Sequence, residues 1–203
     1  MRLRFLIIAF MAMATFGFSQ ETQTIFSNDG TGTKSFGGYG GPFIHVTQIN
    51  NDWGGIIGGK GGVVINGKFA FGGLGMGLIN NMEFLGDDLN GNNNASLSLV
   101  YGAGGVFAEY IFNFESLIHF SIPVNLMAGS VAVQDATSED LEIESSGIFI
   151  IEPGINLEFN LTKYFKPGIY LSYRQVFGSS LVNLSDQDIS GVNIGLIVKF
   201  GSY

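Results

Sequence analysis

The residues most capable of chemistry are few and scattered. Gly54 to Gly62 reads GGIIGGKGG, and Gly54, Gly59 and Lys60 match GxxxxGK, whose glycines cradle phosphates and whose lysine reaches them. The match fails at the next position, where Ser or Thr must hold magnesium and Gly61 stands. Val63, Val64 and Ile65 then run into Asn66–Gly67, which reads as a strand entering a type I′ hairpin turn and not as a strand–loop–helix cradle. A second constellation is His119–Phe120–Ser121, a His-x-Ser pair on one face of a strand, with Glu109 opposite His119 as an acid to orient the imidazole. A third is GDDLNGNNN, where Asp88, Asn90 and Asn92 alternate like calcium ligands. Its glycine sits at the fourth position and no closing Glu follows, so the calcium-loop pattern fails. No catalytic, cofactor or metal site is expected, and Lys60 needs another role.

The elements that position these residues follow from the ends and the composition. Arg2 and Arg4 precede an apolar run from Phe5 to Ala14, with small Gly17 and Ser19 after it, which predicts a signal peptide over residues 1–19. The run is shorter than the roughly 20 residues of a membrane-spanning helix. Residues 20–35 are read as an N-terminal periplasmic segment and 36–203 as one domain. Without cysteine there is no disulfide framework and no thiolate metal site. Glycine is 31 of 203 residues and only 13% are charged, yet the mean hydropathy is +0.32. The apolar residues alternate along the chain with glycines between, as in transmembrane β-barrels, whose strands are apolar on one face only.

Eight strands are expected, at about 36–48, 54–65, 68–79, 97–112, 116–130, 147–161, 165–177 and 191–200. Short turns (Asn66–Gly67, NFE, TKY) alternate with longer connections (INNDW, NNMEFLGDDLNGNNNA, VAVQDATSEDLEIESS, GSSLVNLSDQDIS). Outer-membrane barrels have short periplasmic turns and long outer loops. The longer connections hold Asp52, Glu83, Asp87, Asp88, Asp135, Glu139, Asp140, Glu142, Glu144, Asp186 and Asp188, eleven of the seventeen acids, and no Lys or Arg. Lys68, Lys163 and Lys166 lie at the short turns.

Hairpin arithmetic assigns the faces. A three-residue Thr162–Lys163–Tyr164 turn sets Leu157 against Ile169, Ile155 against Leu171 and Phe149 against Phe177 on one surface. The opposite surface then pairs Asn156 with Tyr170, Gly154 with Ser172 and Glu152 with Arg174. A three-residue Asn113–Glu115 turn pairs Tyr110 with Ile118, Ala108 with Phe120 and Glu109 with His119. The Asn66–Gly67 hairpin pairs Ile57 with Met76, Gly59 with Leu74 and Lys60 with Gly73, leaving Val64, Phe69 and Phe71 on the lysine's side. Ile57, Val63, Leu74, Ile155, Leu157, Ile169 and Leu171 are therefore expected to face lipid. An eight-stranded barrel is only wide enough to be filled by its side chains. Its expected interior network is Lys60, Arg174 and Lys199 against Glu109, Glu152 and Glu158, with His45 and His119 nearby. Three charges of each sign suit a closed interior, with Glu152 and Arg174 as a direct ion pair and Lys60 as a further partner. Pro42, Pro123, Pro153 and Pro167 all fall inside the expected strands, where a closed barrel has no edge to excuse them.

This organisation resembles the OmpA/OmpX-type small outer-membrane barrels. GGYGGP at Gly37–Pro42, TQIN at Thr47–Asn50 and GGKGGVVIN at Gly58–Asn66 also resemble small outer-membrane barrels of the Bacteroidetes. The resemblance implies an all-β, eight-stranded, antiparallel, up-and-down transmembrane barrel in the outer membrane. Barrels of this type end on an aromatic residue. Val192, Ile194, Leu196, Val198 and Phe200 keep that alternation, whereas Gly201–Ser202–Tyr203 follows and puts Tyr203 out of phase. Function is read as a non-enzymatic integral barrel with a structural or surface-interaction role and acidic extracellular loops. Two alternatives are a lipid-modifying enzyme, because His119-x-Ser121 resembles the lipid A deacylase pattern, and a soluble exported barrel with an apolar interior for a ligand. Expected partners are outer-membrane lipid, lipopolysaccharide and loosely held divalent cations at the acidic loops. A monomer is expected, with no nucleic acid and no cofactor.

Overall fold

The computed structural model describes residues 35–50, 52–80, 82–86, 95–136 and 138–202, the side chains of 138–141 excepted. The expected signal peptide, residues 20–34, the calcium-like Asp87, Asp88, Asn90 and Asn92, and Tyr203 lie outside the described residues. The strands are β1 (Phe36–Ile49), β2 (Asp52–Ile65), β3 (Phe69–Leu78), β4 (Met82–Gly86), β5 (Ala95–Phe112), β6 (Ile118–Asp135), β7 (Ser138–Phe159), β8 (Phe165–Phe177) and β9 (Gly191–Ser202). A one-turn helix, α1 (Asp186–Ile189), precedes β9. Every pairing is antiparallel. The sheet runs β3-β2-β1-β9-β8-β7-β6-β5-β4, and β3 also pairs with β5, which closes it. Because β3 and β4 pair with successive stretches of β5, they form one interrupted wall strand, and the barrel has eight.

Three of the four longer connections contain regular structure. Glu83 lies in β4, the expected loop after 130 continues as the ends of β6 and β7, and the last connection holds α1. At 18 residues for β5 and β6 and 22 for β7, this side of the wall outruns the 9–11 residues a tilted membrane strand needs. The first connection is not long at all. Ile49 pairs with Asp52, and Asn50, at φ 49°, opens a two-residue turn.

Registers decide which residues face inward. Between β7 and β8 the expected register holds, with Leu157 opposite Ile169, Ile155 opposite Leu171 and Asn156 opposite Tyr170. Between β2 and β3 it is displaced by one. The Asn66–Gly67 turn forms with both residues at positive φ (55° and 64°), and the Lys68 N–H donates to Ile65 O at 3.1 Å. Lys68 is then an extra residue, so Ile65 pairs with Phe69 and Lys60 with Leu74, not Gly73. A one-residue slip exchanges the faces of a strand. Leu74 and Met76 consequently point inward, and Phe69 and Phe71 outward, which resolves the mixed face expected from the shorter turn.

The β5–β6 register is displaced by four. Asn160 on the neighbouring hairpin donates through Nδ2 to Phe114 O and Ser116 O at 2.7 and 2.6 Å, and Ser116 N–H closes on Asn113 O. The 113–117 stretch is thus held as a compact loop of its own, and Phe112 pairs with Phe120. An even displacement preserves the faces but moves partners two rows, so Glu109 sits opposite Pro123 and His119 opposite Glu158.

The prolines are accommodated without inserted residues at these rows. β7 and β8 pair at Ile151–Gln175 and again at Gly154–Ser172 with unchanged register, and the ladder opens at Glu152 and Pro153 between them. Pro42 opens the β1–β9 ladder in the same way. Inward glycines meet a different demand. A Cβ on Gly72 would lie 2.1 Å from the Gly61 carbonyl oxygen, so close approach of the coiled strands requires bare backbone there.

Candidate functional site

Alternation along each strand places small polar and charged groups in the interior and large apolar groups outside. Outward-facing Ile44, Val46, Ile57, Val63, Val106, Ile122, Ile155, Leu157, Ile169, Leu171, Ile194 and Leu196 are all exposed. Arg174, Glu152, Glu158 and Lys199 are within 1% of complete burial. Lys60 and Glu109 are also buried, so the six expected interior residues all point into the barrel.

They divide into two groups. In the half nearer the short turns, Glu109 from β5 is the hub. Its Oε1 accepts from Lys199 Nζ at 2.5 Å, Ser121 Oγ at 2.5 Å and Asn156 Nδ2 at 3.2 Å. Its Oε2 accepts from Tyr39 OH at 2.5 Å and Lys60 Nζ at 3.3 Å. Lys199 also donates to Glu158 Oε1 at 2.6 Å, and His119 Nε2 lies 3.3 Å from Glu158 Oε2. The two lysines rest over aromatic faces, Lys60 4.0 Å from the Phe107 ring centre and Lys199 4.4 Å from that of Tyr39. Cations on both carboxylates and ring faces under both ammonium groups are what a desolvated cluster needs.

In the other half, Glu152 Oε1 accepts from Tyr170 OH, from Ser172 Oγ at 3.0 Å and from Asn125 Nδ2 at 3.4 Å. Ser172 accepts in turn from Asn193, which accepts from Thr47. The expected Glu152–Arg174 ion pair does not form. Arg174 donates through Nε and Nη2 to Ile189 O at 3.0 and 2.7 Å, and through Nη2 to Gln48 O at 3.2 Å. The ladder is open at this row beside Pro153, and the long arginine side chain instead reaches the mouth at the longer connections, where the carbonyls ending α1 and β1 have lone pairs to fill.

The third of the interior nearest the longer connections is apolar, which the polar interior expected from sequence did not indicate. Ile49, Leu97, Leu99, Val131, Val133, Ile150 and Val176 are buried there with Leu184 and Ile189 from the β8–β9 connection. That connection is tied down by Glu144, which accepts from Val182 N–H at 2.7 Å and Asn183 N–H at 3.0 Å, and by Asp186, which accepts from Ser179 N–H at 2.7 Å. The sequence signal was the apolar Leu181, Val182, Leu184 and Ile189 inside a loop otherwise polar.

The geometry also bears on the nucleophile pattern. Ser121 and His119 are both buried and point inward, but the Ser121 hydroxyl lies 2.5 Å from Glu109 Oε1 and 2.9 Å from Glu158 Oε1, so its single proton is directed at the carboxylates and not at the imidazole. A fully buried serine turned to carboxylates lacks both the imidazole partner of the His-x-Ser pattern and the access to substrate that acyl transfer needs. GxxxxGK forms β2, with Lys60 inward, and offers no phosphate cradle.

No family model matches the chain, and no curated protein matches it. Solved structures do. The N-terminal β-barrel domain of Pseudomonas aeruginosa OprF aligns with a TM-score of 0.53 at 11% identity, covering 82% of this chain and 96% of that one. Neisserial surface protein A aligns with a TM-score of 0.56 at 13% identity over 83% and 99%. A major outer membrane protein of Thermus thermophilus aligns at 0.51 and 12% identity over 81% and 99%. The chain has the fold of the small outer-membrane β-barrels. At these identities the outer-membrane barrel fold is common and the residues inside it are this chain's own.

Proposed function

We propose that the chain is an integral outer-membrane barrel whose role is structural or surface-interactive and not catalytic. The inverted distribution of side chains carries this reading. Large aliphatic residues cover the outside while every interior charge is buried, which is stable when hydrocarbon surrounds the wall. In this reading residues 1–19 direct export and outer-membrane lipid, including lipopolysaccharide, meets the apolar belt. The acidic connections lie at the outer rim and attract divalent cations or a surface ligand, and the barrel works as a monomer. The sealed Ser121 and the absence of a route to it oppose the lipid-modifying alternative. The charged interior beneath an apolar exterior opposes a soluble barrel built around an apolar ligand.

Fractionation tests the reading. The full chain should stay with the outer membrane through carbonate washing and should migrate on gels as a compact folded species unless heated. Release into the carbonate supernatant would overturn it. Whole-cell binding assays comparing the intact barrel with variants whose Glu83, Glu142, Glu144, Asp186 and Asp188 are neutralised then test the outer rim as the interacting surface.

A further inference from the structure

We propose that the middle of the barrel holds one ordered water, which joins Lys60 to Glu152 and links the two polar groups of the interior. A small cavity lies between those groups, lined by Lys60, Asn125, Glu152 and Tyr170 and closed by apolar residues that include Phe43 and Ile197. Its volume, about 10 Å³ of space for the centre of a water-sized sphere, matches the roughly 10–15 Å³ that one water requires.

The polar groups around it are unevenly satisfied. Glu152 is completely buried, and among the described residues its Oε1 takes three donors while Oε2 takes none. Asn125 uses Nδ2 on Glu152 and Tyr170, and its Oδ1 has no partner among the described residues. Both unfilled atoms are acceptors, so the guest must be a donor. Lys60 has three N–H bonds and gives one to Glu109. A water donating to Glu152 Oε2 and Asn125 Oδ1 and accepting from Lys60 Nζ makes three hydrogen bonds, the usual number for a buried water.

Charge selects water over a cation. The buried carboxylates Glu109, Glu152 and Glu158 face the equally buried Lys60, Lys199 and Arg174, and Lys166 at the lower rim adds a further positive charge. Among the described residues the interior has no negative charge left over for a metal ion or ammonium. A neutral guest with two hydrogens and a lone pair fits every unfilled partner. It also gives Glu152, whose direct partners are all neutral, a route to a lysine through one bridge.

The test is a high-resolution crystal structure of the refolded full-length chain, grown in rubidium chloride. The expected result is a single density peak within about 2.7–3.2 Å of Glu152 Oε2, Asn125 Oδ1 and Lys60 Nζ, without anomalous signal. An anomalous peak would identify a cation, and an empty cavity or a direct Lys60–Glu152 bond would remove the bridge. Each of those overturns the proposal. In solution, the urea midpoint of the Lys60→Met, Glu152→Gln double variant should shift by less than the two single shifts together. Additive shifts overturn the linkage whatever the density shows.

Discussion

Glu109→Gln should be among the most damaging isosteric changes available to this chain. The wild-type carboxylate is buried and serves two lysines, at 2.5 Å to Lys199 and 3.3 Å to Lys60. The amide keeps the volume and one acceptor but removes the charge. Lys199 retains Glu158 at 2.6 Å, whereas Lys60 has no other ion pair among the described residues. Removing one partner of a buried pair costs about 3–5 kcal/mol, which is more than about a hundredfold in the folding equilibrium. Urea unfolding of the refolded barrel in lipid bilayers reads this directly. Trp53, the single tryptophan, is exposed on the outer surface near one end of β2, and its fluorescence reports the unfolding. Adding Lys60→Met to Glu109→Gln should recover part of the loss, because the stranded cation is then gone. If Glu109→Gln stays within about 0.5 kcal/mol of wild type, as surface changes do, the hub is not desolvated and the reasoning fails. It fails equally if Lys60→Met makes the double variant worse by its full single-variant cost.

Ile155→Arg, on an outward side chain 52% exposed, should cost about 2–4 kcal/mol in bilayers, and a neutral result in the same titration would place that face in water. Gly72→Ala should block refolding, since its Cβ meets a backbone oxygen at 2.1 Å, while Gly75→Ala, whose Cβ has 4.0 Å to its nearest neighbour, should refold with unchanged yield. Equal yields for the two would contradict the close approach of β2 and β3. Purified barrel in planar bilayers should show no stable conductance steps, because the polar groups and the apolar outer layer fill the lumen; large steady steps from the monomer would refute this.

The fold was readable because strand alternation and turn chemistry agree over most of the chain. The Thr162–Tyr164 turn set the β7–β8 register correctly, and with it the outward stripe of Ile155, Leu157, Ile169 and Leu171. Where a register was misread, an additional local bond decided it. Lys68 is one residue beyond an otherwise regular Asn-Gly turn, and it alone turns Leu74 inward. Asn160 lies 44 positions along the chain from Ser116 and meets it only in space, where its amide fixes the 113–117 loop from another hairpin at 2.6 Å, and nothing in the loop's own residues records that. The inward direction of the six charges depends only on alternation within a strand and was legible. Their pairing depends on side-chain reach across the lumen and was not.

Arg174 shows why charge balance in such an interior need not resolve into neighbouring pairs. Arithmetic along one hairpin puts it beside Glu152, but the guanidinium is long, and the carbonyls of Ile189 and Gln48 at the mouth offer acceptors fixed by backbone. Its ring neighbour, Tyr101, lies 5.3 Å away and adds a polarisable face. Once Arg174 is committed to the mouth, Glu152 must be held by neutral donors, and Tyr170 and Ser172 from β8 and Asn125 from β6 converge on it. The positive charge anchors the segment that carries Leu184 and Ile189 into the barrel, so the outer seal is apolar packing held by an arginine. The lower seal is the Glu109 cluster, with its lysines shared between carboxylates. Two ends of one lumen are therefore closed by different physics, and a substitution at either end should leave the other intact.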